Sequence, residues 1–329
     1  MKIAFFSSKS YDIESFQKAN EAYHHELHFF ESRLKPATVP IALGFPAVCA
    51  FVNDTINGDV LHGLARQGTR LLALRCAGFN NVDLAAAEET GITVVRVPAY
   101  SPHAVAEHAV GLMLALNRKY HRAFSRVHES NFSLEGLLGF DMFGRTAGII
   151  GTGQIGEAVA RILSGFGCRV IAYDVRENPA CTALGVTYCT LDELMRESDI
   201  ITLHCPLTQA TQHLIDEAAL AKMKDGVMLI NTGRGALVDA RALIAGLKSR
   251  KVGYLGMDVY EEEEKIFFKD LSSQFIEDDI FARLLTFPNV LITSHQAFLT
   301  KDALRNIADT TLASISGFEE NGQILNGVS

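Results

Sequence analysis

Gly151-Thr152-Gly153-Gln154-Ile155-Gly156 decides the fold, because of what stands on either side of it. The apolar run 147–150 before it has the length and character of a buried strand, and residues 157–165 after it carry helical periodicity. A second apolar run, 170–173, then ends in Asp174, which lies 174 − 156 = 18 residues beyond the last glycine. A G-x-G-x-x-G pattern alone is a weak signal. Between a strand and a helix, with an acid about 20 residues on, it describes a dinucleotide-binding turn. Gly151 makes the tight turn, Gly153 lets backbone approach a pyrophosphate, and Gly156 lets helix and strand pack closely. The helix N-terminus offers free N–H groups to the phosphates. Asp174 is placed for the adenine-ribose hydroxyls and favours NAD over NADP, while Arg176 nearby is a residue type that can serve a 2′-phosphate.

Reading outward, strand-like runs recur downstream at 200–204, 227–231, 254–259 and 290–293, before a helical segment at 301–319. Upstream they occur at 3–6, 27–30, 48–52, 71–75 and 93–97, with a helix at 84–89 stopped by Gly91. Apolar strands alternating with helices predict an α/β fold with parallel sheets. The glycine motif begins at 151, so the α/β unit before residue 101 is expected to be a separate domain, with substrate in the cleft between the two. A helix is predicted from Ser101 to about Lys119, with Pro102 at its first position and apolar residues at 105, 109, 112, 113 and 116.

The formal net charge of −8 and the absence of a basic block argue against a nucleic-acid partner, and leave a small anionic substrate open. No apolar stretch reaches the roughly 18 residues of a membrane span. The six cysteines form no CxxC pair, as expected of reduced cytoplasmic thiols, and no metal site is read.

Three motifs follow predicted strands: Asn231-Thr232-Gly233-Arg234-Gly235, Gly256-Met-Asp258-Val-Tyr-Glu-Glu-Glu263, and Ser294-His295-Gln-Ala-Phe298. Strand carboxyl ends are where such a fold gathers its chemistry. With Arg75-Cys-Ala-Gly-Phe-Asn-Asn-Val-Asp83, Val105-Ala-Glu-His-Ala109 and His204-Cys205-Pro206-Leu-Thr208, they make the chain resemble the D-2-hydroxyacid dehydrogenase family along nearly its whole length. The likeness is nearest to the family's fermentative D-lactate branch in Arg75–Asp83, Val97-Pro-Ala-Tyr100, Asn131-Phe-Ser-Leu-Glu-Gly136 and His295-Gln-Ala-Phe-Leu-Thr300.

The resemblance implies two Rossmann-like or flavodoxin-like parallel-sheet domains around an active-site cleft. Residues 1–100 plus 299–329 would bind substrate, and 101–298 would bind NAD. It implies that Arg234 holds the substrate carboxylate and carbonyl through a planar fork. His295 would give its proton to the carbonyl oxygen as hydride reaches C2, and Glu263 would hydrogen-bond His295 and favour its charged form. Glu263 is selected from the four glutamates because the family's acid lies five residues after the aspartate (258 + 5 = 263). Backbone N–H groups around Ala77 and Gly78 would bind the carboxylate, Tyr100 and Phe298 would shape a small side-chain pocket, and Asp258 would help position the nicotinamide. The remaining cofactor contacts would come from Thr152, Gln154, Ile155, His204, Cys205, Pro206, Thr232 and Gly233.

The segment 265–281 is longer than in many relatives. The implied reaction is reversible reduction of pyruvate to D-lactate. A larger 2-keto acid is the alternative within the family, and an NAD-sensing corepressor or scaffold is the alternative from another class. By the same resemblance the 101–119 helix would pack on a partner subunit, giving a homodimer or homotetramer.

Overall fold

The computed structural model describes residues 1–328. The chain divides into two compact units, Met1–Ser101 together with the segment from Phe298 onward, and Pro102–Ala297.

In the first unit five strands form one parallel sheet: β1 (Lys2–Phe5), β2 (Glu26–Phe29), β3 (Ala47–Ala50), β4 (Leu71–Leu74) and β5 (Thr93–Arg96), in the order β2-β1-β3-β4-β5. Every residue of β3 and β4 is buried, which is why they read as unbroken apolar runs and not as alternating ones. The helix Leu84–Thr90 starts where the Asp83 carboxylate accepts from the Ala86 N–H, and stops at Gly91, whose φ of 69° is left-handed. The terminal helix Lys301–Asn321, capped by Thr300, returns to this unit and buries Ala303, Ile307, Ala308, Leu312 and Ile315 against β4 and the helix Ser10–Ala19. Beyond it, Asn326 and Val328 hydrogen-bond Arg96 and Val94, so the edge of β5 is covered.

The second unit is a seven-stranded parallel sheet: β6 (Thr146–Ile150), β7 (Arg169–Tyr173), β8 (Thr187–Tyr188), β9 (Ile200–Leu203), β10 (Val227–Asn231), β11 (Val252–Met257) and β12 (Val290–Ile292). Their order is β12-β11-β10-β9-β6-β7-β8, so the winding reverses between β6 and β9. Ligands of open α/β sheets sit at the carboxyl ends beside such a reversal. An apolar core lies on each face of the sheet. One is built largely on Ala106, Ala109, Leu112, Met113 and Leu116 of the helix Pro102–Arg118, the other on Leu220, Leu243, Leu247 and Leu284.

The helix after the glycines starts at Gln154, three residues before the predicted 157, because Gly153 (φ −64°, ψ −165°) is its extended N-cap. Phe267 and Phe281, which bracket most of the long segment after Glu264, are buried side by side with ring centroids 5.8 Å apart, so it contributes to the core.

Candidate functional site

The glycine turn follows β6 and its three glycines have separate reasons to be glycine. Gly151 has φ +94°, and a Cβ there would stand 2.5 Å from the Cys205 nitrogen in the segment after β9. At Gly156 a Cβ would lie 2.0 Å from the Gly151 carbonyl oxygen, so helix and strand touch backbone to backbone. Nothing lies within 4 Å of a Cβ on Gly153. Two glycines are therefore required by the fold, and the third leaves open, unshielded backbone at a helix N-terminus. That is the fit a pyrophosphate needs.

Asp174, at the end of β7, accepts from the Thr152 N–H (2.5 Å) and hydroxyl (3.1 Å) through Oδ2, and from the Arg176 N–H (3.2 Å) through Oδ1. Burial works against its charge, but these hydrogen bonds outweigh it and hold the carboxyl below its ordinary range. Tyr188 of β8 donates to Thr152 Oγ1 at 2.9 Å, and Asn178 donates to the Thr152 carbonyl at 2.9 Å. Neither β8 nor these two residues emerged from the sequence, since a two-residue edge strand carries no periodicity. Gln154 is exposed, and Ile155 packs partly against the core. After β9, His204 pairs with Thr202 Oγ1 at 2.9 Å, and burial pushes its imidazole down to about 4, so the ring is neutral at neutral pH. Burial also pushes the Cys205 thiol up to about 11. The Pro206 carbonyl accepts from Thr211. Thr232 is buried, and its hydroxyl has no partner among the described residues. An orphaned buried hydroxyl beside the turn-bearing strands is a second feature that suits a bound polar ligand.

After β10 the Asn231 side chain ties the turn, accepting from the Gly233 N–H (3.0 Å) and donating to the Arg234 carbonyl (2.8 Å). The half-buried Arg234 guanidinium spends one N–H on the Gly233 carbonyl. A Cβ on Gly235 would fall 2.1 Å from the Tyr260 carbonyl carbon, so this turn and the one after β11 are in backbone contact. His213 adds a 3.1 Å pair to Glu261.

His295 and Glu263 meet directly: Nδ1 of the ring lies 2.7 Å from Oε1, both side chains being about 15% exposed (16% and 14%). The other Glu263 oxygen accepts from the Tyr260 N–H at 3.1 Å. His295 has φ +54°, a left-handed conformation that costs a non-glycine residue about 1–2 kcal/mol. Asp258, wholly buried, holds it there. Its carbonyl accepts from the His295 N–H at 2.7 Å, and its two carboxylate oxygens accept from the Gln296 and Ala297 N–H groups, both at 2.8 Å. The resemblance gives Asp258 a part in positioning the nicotinamide end; in the structure its carboxylate is engaged by the His295 turn and by Thr293.

Within the first unit, the Ala77 carbonyl accepts from Arg96 at 2.7 Å and the Gly78 carbonyl from the Cys76 thiol at 3.2 Å. The N–H groups of Ala77 and Gly78 have no protein acceptor among the described residues. The Phe298 ring is ringed by Tyr100 (6.3 Å), Phe51 (6.0 Å) and Tyr11 (6.4 Å). Beneath the loop Arg75 is fully buried, bonded to Asp12 and to the Ser7 carbonyl. Among the described residues no cluster of His, Cys, Asp and Glu could hold a metal, and no helix is long and apolar enough to cross a membrane.

A nucleotide turn, an acid at the end of the next strand and a histidine–carboxylate pair on one sheet define a nicotinamide-dependent dehydrogenase. Residues 110–297 match the family model "D-isomer specific 2-hydroxyacid dehydrogenase, NAD binding domain", and the chain belongs to that family. It is 58% identical to a 2-hydroxyacid dehydrogenase homolog of Haemophilus influenzae, covering 96% of this chain and 95% of the relative. It is 54% identical to the D-lactate dehydrogenase of Escherichia coli, covering 97% of each. The solved apo-structure of D-lactate dehydrogenase from Escherichia coli superposes with a TM-score of 0.92 at 52% identity, over 100% of both chains.

Proposed function

We propose that this protein is an NAD-dependent D-lactate dehydrogenase, interconverting pyruvate and D-lactate. The observation that carries the reading is the His295–Glu263 pair, in a chain so similar to a D-lactate dehydrogenase. Because Nδ1 is committed to Glu263, Nε2 is the nitrogen left to exchange a proton with substrate. Bound NADH supplies the hydride to C2. The proton passes from His295 Nε2 to the carbonyl oxygen, leaving a neutral imidazole and the hydroxy acid. Glu263 fixes the ring's orientation and its tautomer throughout. Arg234 receives the carboxylate through parallel N–H groups. The first unit is the substrate-binding one, giving the free N–H groups of Ala77 and Gly78 to the carboxylate, and Tyr100 and Phe298 to the methyl group. Gly151–Gly156, Asp174, His204–Pro206, Thr232 and Gly233 hold the NAD, and Asp258 acts at the nicotinamide end through the turn it braces.

The reading includes a homodimer or homotetramer. It is supported by the exposed apolar side chains of Tyr120, Phe124, Val127, Phe132, Leu134, Leu138 and Phe143, concentrated in one stretch of chain. A monomeric mass by light scattering rejects that part. It also includes a cytoplasmic location, supported by six cysteines that form no disulfide among the described residues, and no nucleic-acid partner, supported by the acidic charge.

The test is NADH oxidation with pyruvate, chiral analysis of the lactate, and His295→Gln beside the parent. The reading requires D-lactate from the parent and a kcat lower by roughly 10²–10⁴-fold in the variant, with NADH still bound. L-lactate, or no turnover of any 2-keto acid, refutes it. Good turnover of only bulkier keto acids refutes the substrate and keeps the mechanism.

A further inference from the structure

One histidine near the His295 turn has no part in the chemistry above. His108 projects from the helix Pro102–Arg118, and its Nε2 lies 3.0 Å from Thr293 Oγ1 and 3.5 Å from Asp258 Oδ1. The Thr293 hydroxyl lies 2.5 Å from the same Asp258 oxygen. A hydroxyl has one proton, and a carboxylate can only accept it, so the Thr293 proton faces Asp258. Thr293 Oγ1 therefore accepts, and His108 Nε2 carries the hydrogen. The three side chains form a directed chain from helix to threonine to buried carboxylate.

That carboxylate is the brace of the His295 turn. Two residues before His295, Thr293 donates its N–H to the Met257 carbonyl; at and after it, three consecutive N–H groups end on Asp258. Burial opposes a charge on Asp258, yet the neighbouring His108 and hydrogen bonds from Thr293 and the Ala297 and Gln296 amides outweigh it and keep the carboxyl below its ordinary range. His108 is the member of this set that comes from outside the β11 and β12 ends, and its side chain is 19% exposed against 0% for Asp258.

We propose that His108 is a positioning residue for the reaction. Through Thr293 and Asp258 it locks the turn that holds His295 in its left-handed conformation, and so fixes where the imidazole is presented. The inference rests on the dehydrogenase reading, since it gives His295 its purpose.

The experiment compares the parent with His108→Leu, which keeps bulk and loses the donor, and His108→Gln, whose amide can restore a donor near the Nε2 position. Kinetics with NADH and pyruvate, NADH affinity by fluorescence titration, and amide hydrogen exchange over 293–297 are measured on each full-length protein. His108→Leu is expected to lower kcat by on the order of tenfold to a hundredfold, the scale of a misplaced catalytic group. NADH affinity should stay within about threefold, and exchange at Gln296 and Ala297 should rise at least tenfold. His108→Gln should recover most of both. Unchanged kcat and unchanged exchange in His108→Leu overturn the proposal. So does a loss that His108→Gln fails to recover, or one that falls on NADH affinity alone. If the parent itself turns over no keto acid, the dehydrogenase reading fails, while the exchange measurement still decides whether His108 braces the turn.

Discussion

Adding one methyl group at Gly156 or at Gly153 should produce opposite failures. At Gly156 the new carbon would sit 2.0 Å from the Gly151 carbonyl oxygen, where ordinary contact begins at 3.4 Å. The glycine-turn helix must back away from β6 by about 1.4 Å, because the obstacle is backbone and cannot rotate aside. Overpacking costs about 1–3 kcal/mol, and rigid backbone places this case near 3. For a unit of this size each kcal/mol is worth about 2–4 °C, so Gly156→Ala should unfold roughly 6–12 °C below the parent. At Gly153 the methyl meets nothing and φ is −64°, so the fold loses only the small advantage of glycine over alanine at an N-cap, within about 3 °C. The methyl nonetheless occupies the space a pyrophosphate needs, and NADH affinity should fall at least tenfold, about 1.4 kcal/mol. Differential scanning fluorimetry and NADH fluorescence titration on both variants decide the matter. A Gly153→Ala protein that binds NADH as the parent does refutes the cradle. A Gly156→Ala protein with an unchanged Tm refutes the contact.

Four further outcomes follow from the geometry. The half-buried His204, pushed down to about 4 in the folded protein, has its ordinary value of 6.5 when unfolded, so between those values only the unfolded chain takes up the proton. Its contribution to stability is complete above pH 6.5 and lost as the pH falls toward 4. The Tm of His204→Gln should therefore fall less steeply than the parent's between pH 7 and 4.5, and equal slopes would refute the assignment. Asp174→Ala removes the anion that opposes a 2′-phosphate; the NADPH-to-NADH ratio of kcat/KM should rise at least tenfold, and an unchanged ratio places discrimination elsewhere. Arg234→Lys keeps charge but loses the planar fork, so KM for pyruvate should rise by about tenfold or more with NADH affinity intact. Phe281→Ala empties a buried site between Tyr260 and Phe267, at a cost of about 3–5 kcal/mol by thermal unfolding.

The strands and their parallel class follow from features visible in the sequence, apolar runs alternating with helical stretches and glycines at turns, whereas the order of strands in each sheet does not. Where the reading overran, it did so at carboxyl ends. Phe6, Phe30, Val97, Val259 and Thr293 continue the apolar or β-branched pattern, and Arg75 and His204 follow it directly, but the assigned strands have already ended. Six of them, all but Val259, still donate one backbone N–H toward the neighbouring strand, so the boundary lies within a residue of the last hydrogen bond. Site residues that sit in short turns with distinctive neighbours were legible. Those that act by contact were not. His108 lies inside a quoted motif, yet its meaning depends on Thr293, 185 positions away, and Tyr188 needed a strand of two residues to bring it to Thr152. The donors that meet Asp258 were hidden for the same reason: sequence shows a carboxylate beside a site, not which N–H and O–H groups turn toward it.

The path of the chain through its two units has a consequence for biosynthesis. Strands β1 to β5 leave the ribosome before the Pro102–Ala297 unit, but Ile307, Leu312 and Ile315, which cover part of that sheet, belong to the Lys301–Asn321 helix and emerge after it. The Pro102–Ala297 unit is continuous and can close while synthesis proceeds. The earlier-made unit must wait, with part of an apolar sheet face uncovered, until the whole Pro102–Ala297 unit has been added. Until the Lys301–Asn321 helix is made, the nascent chain carries that uncovered apolar face, and a stop before Lys301 would leave it exposed for good.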